Sequence, residues 1–230
     1  MITMRLHKFA AFILLGAFVI GCDDGVLNFP QPAPASLRVV NVTQDVATLG
    51  VVLEGASTLL IDRGAASSEI DVTAGRPVSF VFKEGDSVLR RDTLFYTLGG
   101  DAHVILFAKG TKTNLVEFRQ AIQDTSVSGN TMAFVRFTHM AENVNRAEFV
   151  ELWTDGGQKV FDNLFLPGIS SSNYAQLTPG AYTFVLREEG TGEVLGCLAN
   201  VSLLAGSSYM LYSYDAAPPA VDSIAMDIFN

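Results

Sequence analysis

Short segments with the alternation of β-strands run through most of this chain. In Val78–Lys83 and in Tyr182–Arg187 every second residue is apolar, the period that turns one face of a strand toward a core. His103–Ala108 and Tyr209–Tyr214 are rich in β-branched and aromatic residues, which are enriched in strands. Turn residues separate the segments, at Gly99-Gly100, Gly129-Asn130, Asp155-Gly156-Gly157, Pro179-Gly180 and Gly190-Thr191-Gly192. This pattern predicts an all-β sandwich or barrel.

The strand segments recur in the same order after roughly 100 residues, which indicates an internal repeat. The matched segments are Leu37–Asn41 with Val135–His139, Thr73–Gly75 with Thr178–Gly180, Lys83–Gly85 with Arg187–Gly190, Gly100–Ala108 with Gly206–Tyr214, and Leu115–Phe118 with Ile224–Phe229. The sequence therefore predicts two tandem antiparallel β-sandwiches of immunoglobulin-like type, at 37–119 and 132–230. A polar linker at 120–131 joins them.

Two segments of the second copy carry a family resemblance. Val135–Asn143 resembles the opening strand and turn of the bacterial domain-of-unknown-function 4397 family, and Tyr174–Thr183 resembles its central strand pair. The first copy keeps Arg38–Asn41 and Thr73–Gly75, but it has Arg76-Pro77-Val78 where the family has an aromatic residue after the glycine. The resemblance implies an exported protein with no assigned activity, of a kind that is often lipid-anchored and often tandem.

Residues 1–21 predict an export signal. Arg5–Lys8 is basic, and Phe9–Ile20 is an apolar run of about a dozen residues, whereas a membrane-spanning helix needs about 20. The run ends in Val19-Ile20-Gly21-Cys22, which resembles a bacterial lipobox. The resemblance implies that Cys22 becomes the diacylglyceryl-modified, N-acylated first residue of the mature chain. The alternative is an ordinary signal peptide cleaved elsewhere, which would leave Cys22 as a free thiol.

Residues 22–36 are interpreted as a tether. Pro30, Pro32 and Pro34 alternate with other residues there, and proline-rich segments extend by about 3.1 Å per residue. Such a tether would hold the first sandwich roughly 40 Å from a membrane. The alternative is an N-terminal arm that packs on the first sandwich through Val26–Phe29.

Charge and cysteine content narrow the set of partners. The net charge is −9, and it becomes −11 when Arg5 and Lys8 leave with the signal. An acidic chain disfavours nucleic acid and anionic lipid surfaces as partners. Cys22 and Cys197 are the two cysteines, so acylation of Cys22 would leave Cys197 without an intramolecular disulfide partner. Because Cys197 lies in the apolar segment Val194–Leu198, we expect a buried, inert thiol.

The sequence carries no pattern typical of catalysis or of metal binding. His103 and His139 are single histidines in apolar strand segments, where a structural role is the usual one. One acidic pair, Asp23-Asp24, directly follows Cys22. The other, Glu188-Glu189, lies at the predicted end of a hairpin. Zinc-protease, paired-cysteine, calcium-loop and serine-hydrolase motifs are missing from the sequence. We therefore expect no enzyme activity, no catalytic residue, no metal and no cofactor.

One segment is a candidate for ligand contact. Asp155-Gly156-Gly157 predicts a hairpin turn after the strand Phe149–Thr154. If Val150 and Leu152 point to the core, Phe149 and Trp153 face outward beside Glu151, where aromatic rings can stack on a sugar or on a partner's side chains. The alternative is that Phe149 and Trp153 form the core face.

These observations favour a lipid-anchored protein of a bacterial cell envelope, at the outer membrane or surface rather than the inner membrane. Its function would be that of a non-catalytic binding, structural or adhesion module. The alternative is a carbohydrate-binding accessory module that uses the exposed aromatic strand face. The predicted partners are the membrane, through the N-terminal lipid, and an envelope protein or glycan. The sequence leaves the ligand and the oligomeric state open.

The lipid anchor makes a direct prediction for Cys22→Ala. Each buried methylene of an acyl chain contributes about 0.8 kcal/mol to membrane binding, and two or more chains anchor a protein durably. The variant should therefore move from the membrane fraction to the soluble fraction when cells are fractionated. A variant that still sediments with membranes would contradict the anchor.

Overall fold

The structure, a computed structural model, describes residues 35–53, 58–73, 75–94, 103–122, 131–141, 149–165, 168–169, 174–216 and 224–230. The predicted leader, Cys22, most of the tether and residues 123–130 of the predicted linker lie outside the described residues. The strands are β1 Ala35–Thr43, β2 Thr48–Leu53, β3 Thr58–Asp62, β4 Ile70–Val72, β5 Val78–Glu84, β6 Ser87–Leu94, β7 His103–Thr111, β8 Asn114–Ile122, β9 Ala133–His139, β10 Phe149–Thr154, β11 Lys159–Phe165, β12 Gly168–Ile169, β13 Ala175–Leu177, β14 Gly180–Glu188, β15 Val194–Leu203, β16 Ser208–Asp215 and β17 Ile224–Phe229.

Strands β1 to β8 form a first sandwich of two sheets. Sheet A has the order β4-β1-β7-β8, and sheet B has the order β3-β2-β5-β6. Alternate side chains of both sheets point inward, so the period of two seen in the sequence becomes one buried layer between them. Its largest fully buried members include Leu37, Leu49, Phe80, Phe82 and Leu106.

The remaining strands form a second sandwich of the same design. Sheet C has the order β12-β9-β16-β17, with β13 also paired to β9, and sheet D has the order β11-β10-β14-β15. The core between sheets C and D contains Val135, Phe137, Leu152, Phe184 and Leu211. The second sandwich therefore repeats the inward-facing pattern of the first.

The strand order confirms the predicted fold class of two tandem β-sandwiches. The orders 4-1-7-8 and 3-2-5-6 of the first copy recur as 12-9-16-17 and 11-10-14-15 in the second. The predicted hairpin is confirmed as well, since β10 and β11 pair antiparallel across Asp155-Gly156-Gly157. One feature departs from a purely antiparallel sandwich: β1 pairs with β7, and β9 with β16, in parallel. Parallel neighbours need a long connection, and here the other sheet of each sandwich supplies it.

A third apolar cluster joins the two sandwiches. The outer faces of sheets A and C pack on each other, because β1 and β7 carry apolar residues on both faces. The cluster consists of Val40, Val42, Ile105, Phe107, Met140, Met210 and Tyr212, each at most 3% exposed. The rings of Phe107 and Tyr212 meet edge to face with centroids 5.8 Å apart. We call this cluster the inter-sandwich layer.

Hydrogen bonds close one end of the inter-sandwich layer. Arg63 Nη2 donates to the carbonyl oxygens of Asp215 at 2.6 Å and Ala216 at 2.8 Å. The Tyr212 hydroxyl donates to the Gly64 carbonyl oxygen at 2.7 Å. Burial raises the pKa of Tyr212, so that hydroxyl stays protonated as a donor. The turn after β3 is thereby fixed to the end of β16.

Gly64 allows the close approach at this contact. Its φ of 79° lies in the left-handed region, and a Cβ built there would lie 2.0 Å from the Tyr214 hydroxyl oxygen. A side chain at this position would therefore cost backbone energy and would also displace a tyrosine from the interface between the sandwiches.

Gly64→Ala is expected to destabilise the chain more than Gly157→Ala. Both glycines have φ of 79°, but nothing lies within 4 Å of a Cβ at Gly157. The shared backbone cost is about 1–2 kcal/mol, and the displaced Tyr214 should add about 1–3 kcal/mol at Gly64 alone. Urea unfolding of the two variants measures the difference. Equal losses would contradict the close packing at Gly64.

Candidate functional site

The outer face of sheet D carries the residues that the sequence singled out. Val150 and Leu152 are fully buried, whereas Phe149 is 36% exposed and Trp153 is half-buried. The structure therefore decides between the two orientations that the sequence left open for β10, with Phe149, Glu151 and Trp153 on the outside. The alternative, in which Phe149 and Trp153 form the core face, is excluded for this strand.

A second phenylalanine lies beside Phe149. Phe165 of β11 is the cross-strand neighbour of Phe149, with ring centroids 5.5 Å apart at an interplanar angle of 58°. Phe165 is 49% exposed, so the two rings form a continuous apolar patch. We call Phe149, Phe165 and Trp153, with Glu151 and Lys159, the aromatic surface of sheet D.

Sequence reasoning missed Phe165 because of two irregularities in the hairpin. Trp153 pairs with Lys159 next to the turn, and an unbroken register would then place Asn163 opposite Phe149. The register shifts twice between Trp153 and Val150, and Asn163 has a φ of 53°. These bulges move Phe165 into the position opposite Phe149. The only sequence signal for them is an asparagine, which tolerates positive φ, and that signal is weak.

Polar contacts hold Trp153 in place. Its indole N–H donates to Glu151 Oε2 at 2.8 Å, and Lys159 Nζ donates to Glu151 Oε1 at 2.5 Å. The Lys159 ammonium lies 5.1 Å from the centroid of the indole, within the range of a cation–π contact. The hydrogen bond from Lys159, supplemented by the one from Trp153, lowers the pKa of Glu151. The pair is therefore ionised at neutral pH, and it covers one face of the indole.

This arrangement suits binding rather than catalysis. It offers two exposed phenyl rings beside a compensated ion pair. Among the described residues, no three His, Cys, Asp or Glu side chains come close enough together to hold a metal ion. Nor does that part of the chain contain a helix with the length and apolar character needed to span a membrane.

The prediction for Cys197 is wrong, because the structure places this cysteine in an exposed position. It lies on β15, the edge strand of sheet D, opposite Val185 on the outer face. Its neighbour Leu198 lies opposite the buried Phe184 instead. Every residue of Val194–Leu198 is apolar or small, so no polar residue marked the side of the strand that faces water. Cys22, the predicted lipid site, lies outside the described residues.

The two strand histidines occupy different environments. His103 is half-buried, and its Nδ1 lies 2.5 Å from Ser36 Oγ on the neighbouring strand. His139 is fully buried with Nδ1 hydrogen-bonded to Ser213 Oγ, while its Nε2 has no partner within the described part of the chain. Burial lowers the pKa of His139 to about 3, and the charge of Lys109 adds to the effect. His139 is therefore neutral in the folded chain.

His139 should make the chain sensitive to acid. Its folded pKa of about 3 lies below the ordinary value of 6.5, so between these pH values the unfolded chain binds a proton that the folded chain does not. Stability is then complete above pH 6.5 and falls by up to about 1.4 kcal/mol per pH unit below it. Between pH 7 and 4.5 this contribution amounts to about 2–3 kcal/mol.

The test is His139→Asn, which copies the residue at the corresponding position of the first copy, Asn41. Urea unfolding at pH 7 and at pH 4.5 gives the loss of stability for the parent and the variant. Between pH 7 and pH 4.5 we expect the variant to lose about 2–3 kcal/mol less stability than the parent. A variant with the same loss would show that the acid sensitivity has another source.

Comparison with known proteins finds similarity at the level of solved structures. No protein-family model and no curated protein matches the chain. The family-26 carbohydrate-binding module of Amy13K from Eubacterium rectale, crystallised with maltoheptaose, is 9% identical; the match covers 85% of this chain and 96% of that one, with a TM-score of 0.27.

Two further structures match at similar levels. The TIE protein of Bacillus anthracis is 11% identical, with coverage of 79% of this chain and 34% of that one and a TM-score of 0.23. A candidate adhesin from Bacteroides ovatus is 9% identical, with coverage of 85% and 92% and a TM-score of 0.20. At these scores the matches carry no information about function.

Proposed function

We propose that this chain is a non-catalytic binding module that contacts a partner protein through the aromatic surface of sheet D. The observation that carries the proposal is the adjacent, exposed pair Phe149 and Phe165 on the outer face of sheet D. When a partner covers adjacent exposed aromatic side chains, their apolar surface is removed from water, and this favours binding. Aromatic residues are also enriched at the centres of protein interfaces.

The surroundings of the phenyl pair fit a protein interface. Both strands belong to a sheet whose other face is buried, so the rings are presented without a large ordering cost on binding. Glu151 and Lys159 lie next to the rings as a compensated ion pair, and charges at the rim of an interface steer and orient a partner more than they add affinity.

A lipid on Cys22 would place this module at a bacterial membrane, at the outer membrane or the cell surface. Support for this part of the proposal comes from the basic, apolar and lipobox-like segments of the first 22 residues. Twelve residues separate Cys22 from the start of β1 at Ala35, and a proline-rich segment of that length can extend by about 37 Å.

A carbohydrate-binding module is the second candidate, and the exposed rings on the outer face of sheet D favour it. Sugar rings stack on open aromatic faces, and Phe149 offers one. Trp153 suits this role less well, since Lys159 covers its ring and Glu151 occupies its N–H. A glycan would have to displace Lys159 before it could stack on the indole.

The test uses the full chain, solubilised in mild detergent, as bait for proteins of its native envelope. The double variant Phe149→Ala with Phe165→Ala should reduce partner affinity at least tenfold, the effect expected when two central aromatic contacts are lost. Leu60→Ala is the matched control, because Leu60 is exposed on sheet B of the other sandwich. Urea unfolding of both variants should show that each remains folded under the conditions of the capture experiment.

Two results would contradict the proposal. Capture that is unchanged by the double variant would place the partner elsewhere on the chain. Retention of the chain on insoluble envelope glycans, lost in Phe149→Ala, would favour the carbohydrate alternative. Trp153 is the single tryptophan, so its fluorescence gives an independent signal for binding at this surface.

A further inference from the structure

A cleft lies between the two sandwiches, near the starts of β1, β7 and β16. Its volume is about 250 Å³. The side chains that matter for its chemistry are Ser36, Arg38, Glu69 and His103 from the first copy and Tyr174, Ser208 and Phe229 from the second. Neither copy forms the cleft alone. It is also separate from the aromatic surface, which lies on the outer face of sheet D.

Two arginine–aromatic stacks frame the cleft. The guanidinium carbon of Arg38 lies 4.7 Å from the centroid of Phe229, and that of Arg136 lies 4.5 Å from the centroid of Tyr174. Arg38 and Arg136 occupy corresponding positions of β1 and β9, so the internal repeat produces both stacks. Cation–π contact with the buried Arg136 and the partly buried Arg38 holds the two rings in position, and the walls of the cleft are therefore formed before a ligand arrives.

The polar groups of the cleft are also held by contacts with one another. Arg38 Nη1 donates to the Asn230 carbonyl oxygen at 2.8 Å, and Arg38 Nη2 lies 3.6 Å from Glu69 Oε1. Ser36 Oγ lies 2.5 Å from His103 Nδ1, and Glu69 Oε1 lies 3.9 Å from the same nitrogen. A guanidinium, a carboxylate, an imidazole and a hydroxyl thus meet along one side of the cleft.

The side-chain charges of Arg38 and Glu69 compensate each other, and that favours an uncharged ligand. An anion would be attracted by Arg38 but repelled by Glu69. A cation would be attracted by Glu69 but repelled by Arg38. Carboxylate and guanidinium groups each present two acceptors or donors in one plane, which matches pairs of adjacent hydroxyl groups. Arg38 and Arg136 each lie over one face of these rings, and the parts of Tyr174 and Phe229 that line the cleft can contact the apolar C–H face of a ring. The volume lies just below the range of about 300–1,000 Å³ that drug-sized ligands occupy, so one small ring fits.

We propose that the cleft between the two sandwiches binds a single neutral sugar ring, a pyranose free or at the end of a glycan. Arg38 and Glu69 exchange hydrogen bonds with its hydroxyl groups, and the aromatic walls cover its apolar face. This inference goes beyond the proposed function, because it assigns a small-molecule site that is distinct from the protein-binding surface of sheet D.

The experiment measures binding of defined sugars to the full chain in detergent by saturation-transfer NMR. The probes are glucose, galactose and N-acetylglucosamine, with glycerol as a polyol that lacks a ring and glucose 6-phosphate as a charged comparator. At least one neutral pyranose should bind with a dissociation constant in the millimolar range, as expected for a ligand of about a dozen heavy atoms. Glycerol and glucose 6-phosphate should bind more weakly.

Variants of the cleft locate the site. Glu69 is 52% exposed at its side chain, so Glu69→Gln should fold normally, and it should weaken sugar binding about tenfold through the loss of a charged acceptor. Ser208→Phe, which fills the cleft, should abolish binding. Glu189→Gln makes the same chemical change at an exposed hairpin position outside the cleft and should have no effect.

The outcomes separate this inference from the proposed function. The sugar site is overturned if none of the three pyranoses binds, or if Glu69→Gln binds them as tightly as the parent. The double variant at Phe149 and Phe165 should leave sugar binding intact, and Glu69→Gln should leave capture of a partner protein intact. Each site can therefore fail without the other.

Discussion

The apolar layer between sheets A and C is the interaction on which the rest of the molecule depends. Phe107, Met140 and Tyr212 are each at most 1% exposed in it, and burial of a large apolar side chain contributes about 1.5–3 kcal/mol. The two copies consequently pack face to face through sheets A and C. Arg63 and Gly64 close one end of this layer with hydrogen bonds to the second copy.

This packing decides which surfaces remain for function. Outer-face residues of β1, β7 and β16 are buried in the layer, whereas the outer face of sheet D presents Phe149 and Phe165 to solvent. The cleft between the copies also depends on the layer, because its walls at Tyr174 and Phe229 meet the polar groups around Arg38 only when the sandwiches are packed. Both proposed sites therefore follow from the way one repeat packs on the other.

Sequence patterns were most reliable where polar and apolar residues alternate. Val150 and Leu152 alternate with larger or charged neighbours, so the sequence left two possible orientations of β10, and the structure buries Val150 and Leu152. Cys197 lies in an uninterrupted apolar run on an edge strand, where alternation carries no information, and its exposure was not foreseen. Phe165 was missed for a different reason: two bulges change the register, and the register is set by backbone geometry that no single residue type dictates.

By itself the sequence determined the all-β class, the twofold repeat and the hairpin after β10, because these depend on local alternation and on turn residues. Only the tertiary structure decided that β1 and β7 bury both of their faces, that Phe165 joins Phe149, and that Arg38 meets Phe229. The physical reason is that such contacts join residues far apart in the chain. Their free energy depends on shape and desolvation across two surfaces, and that information is spread over both copies rather than written in any one segment.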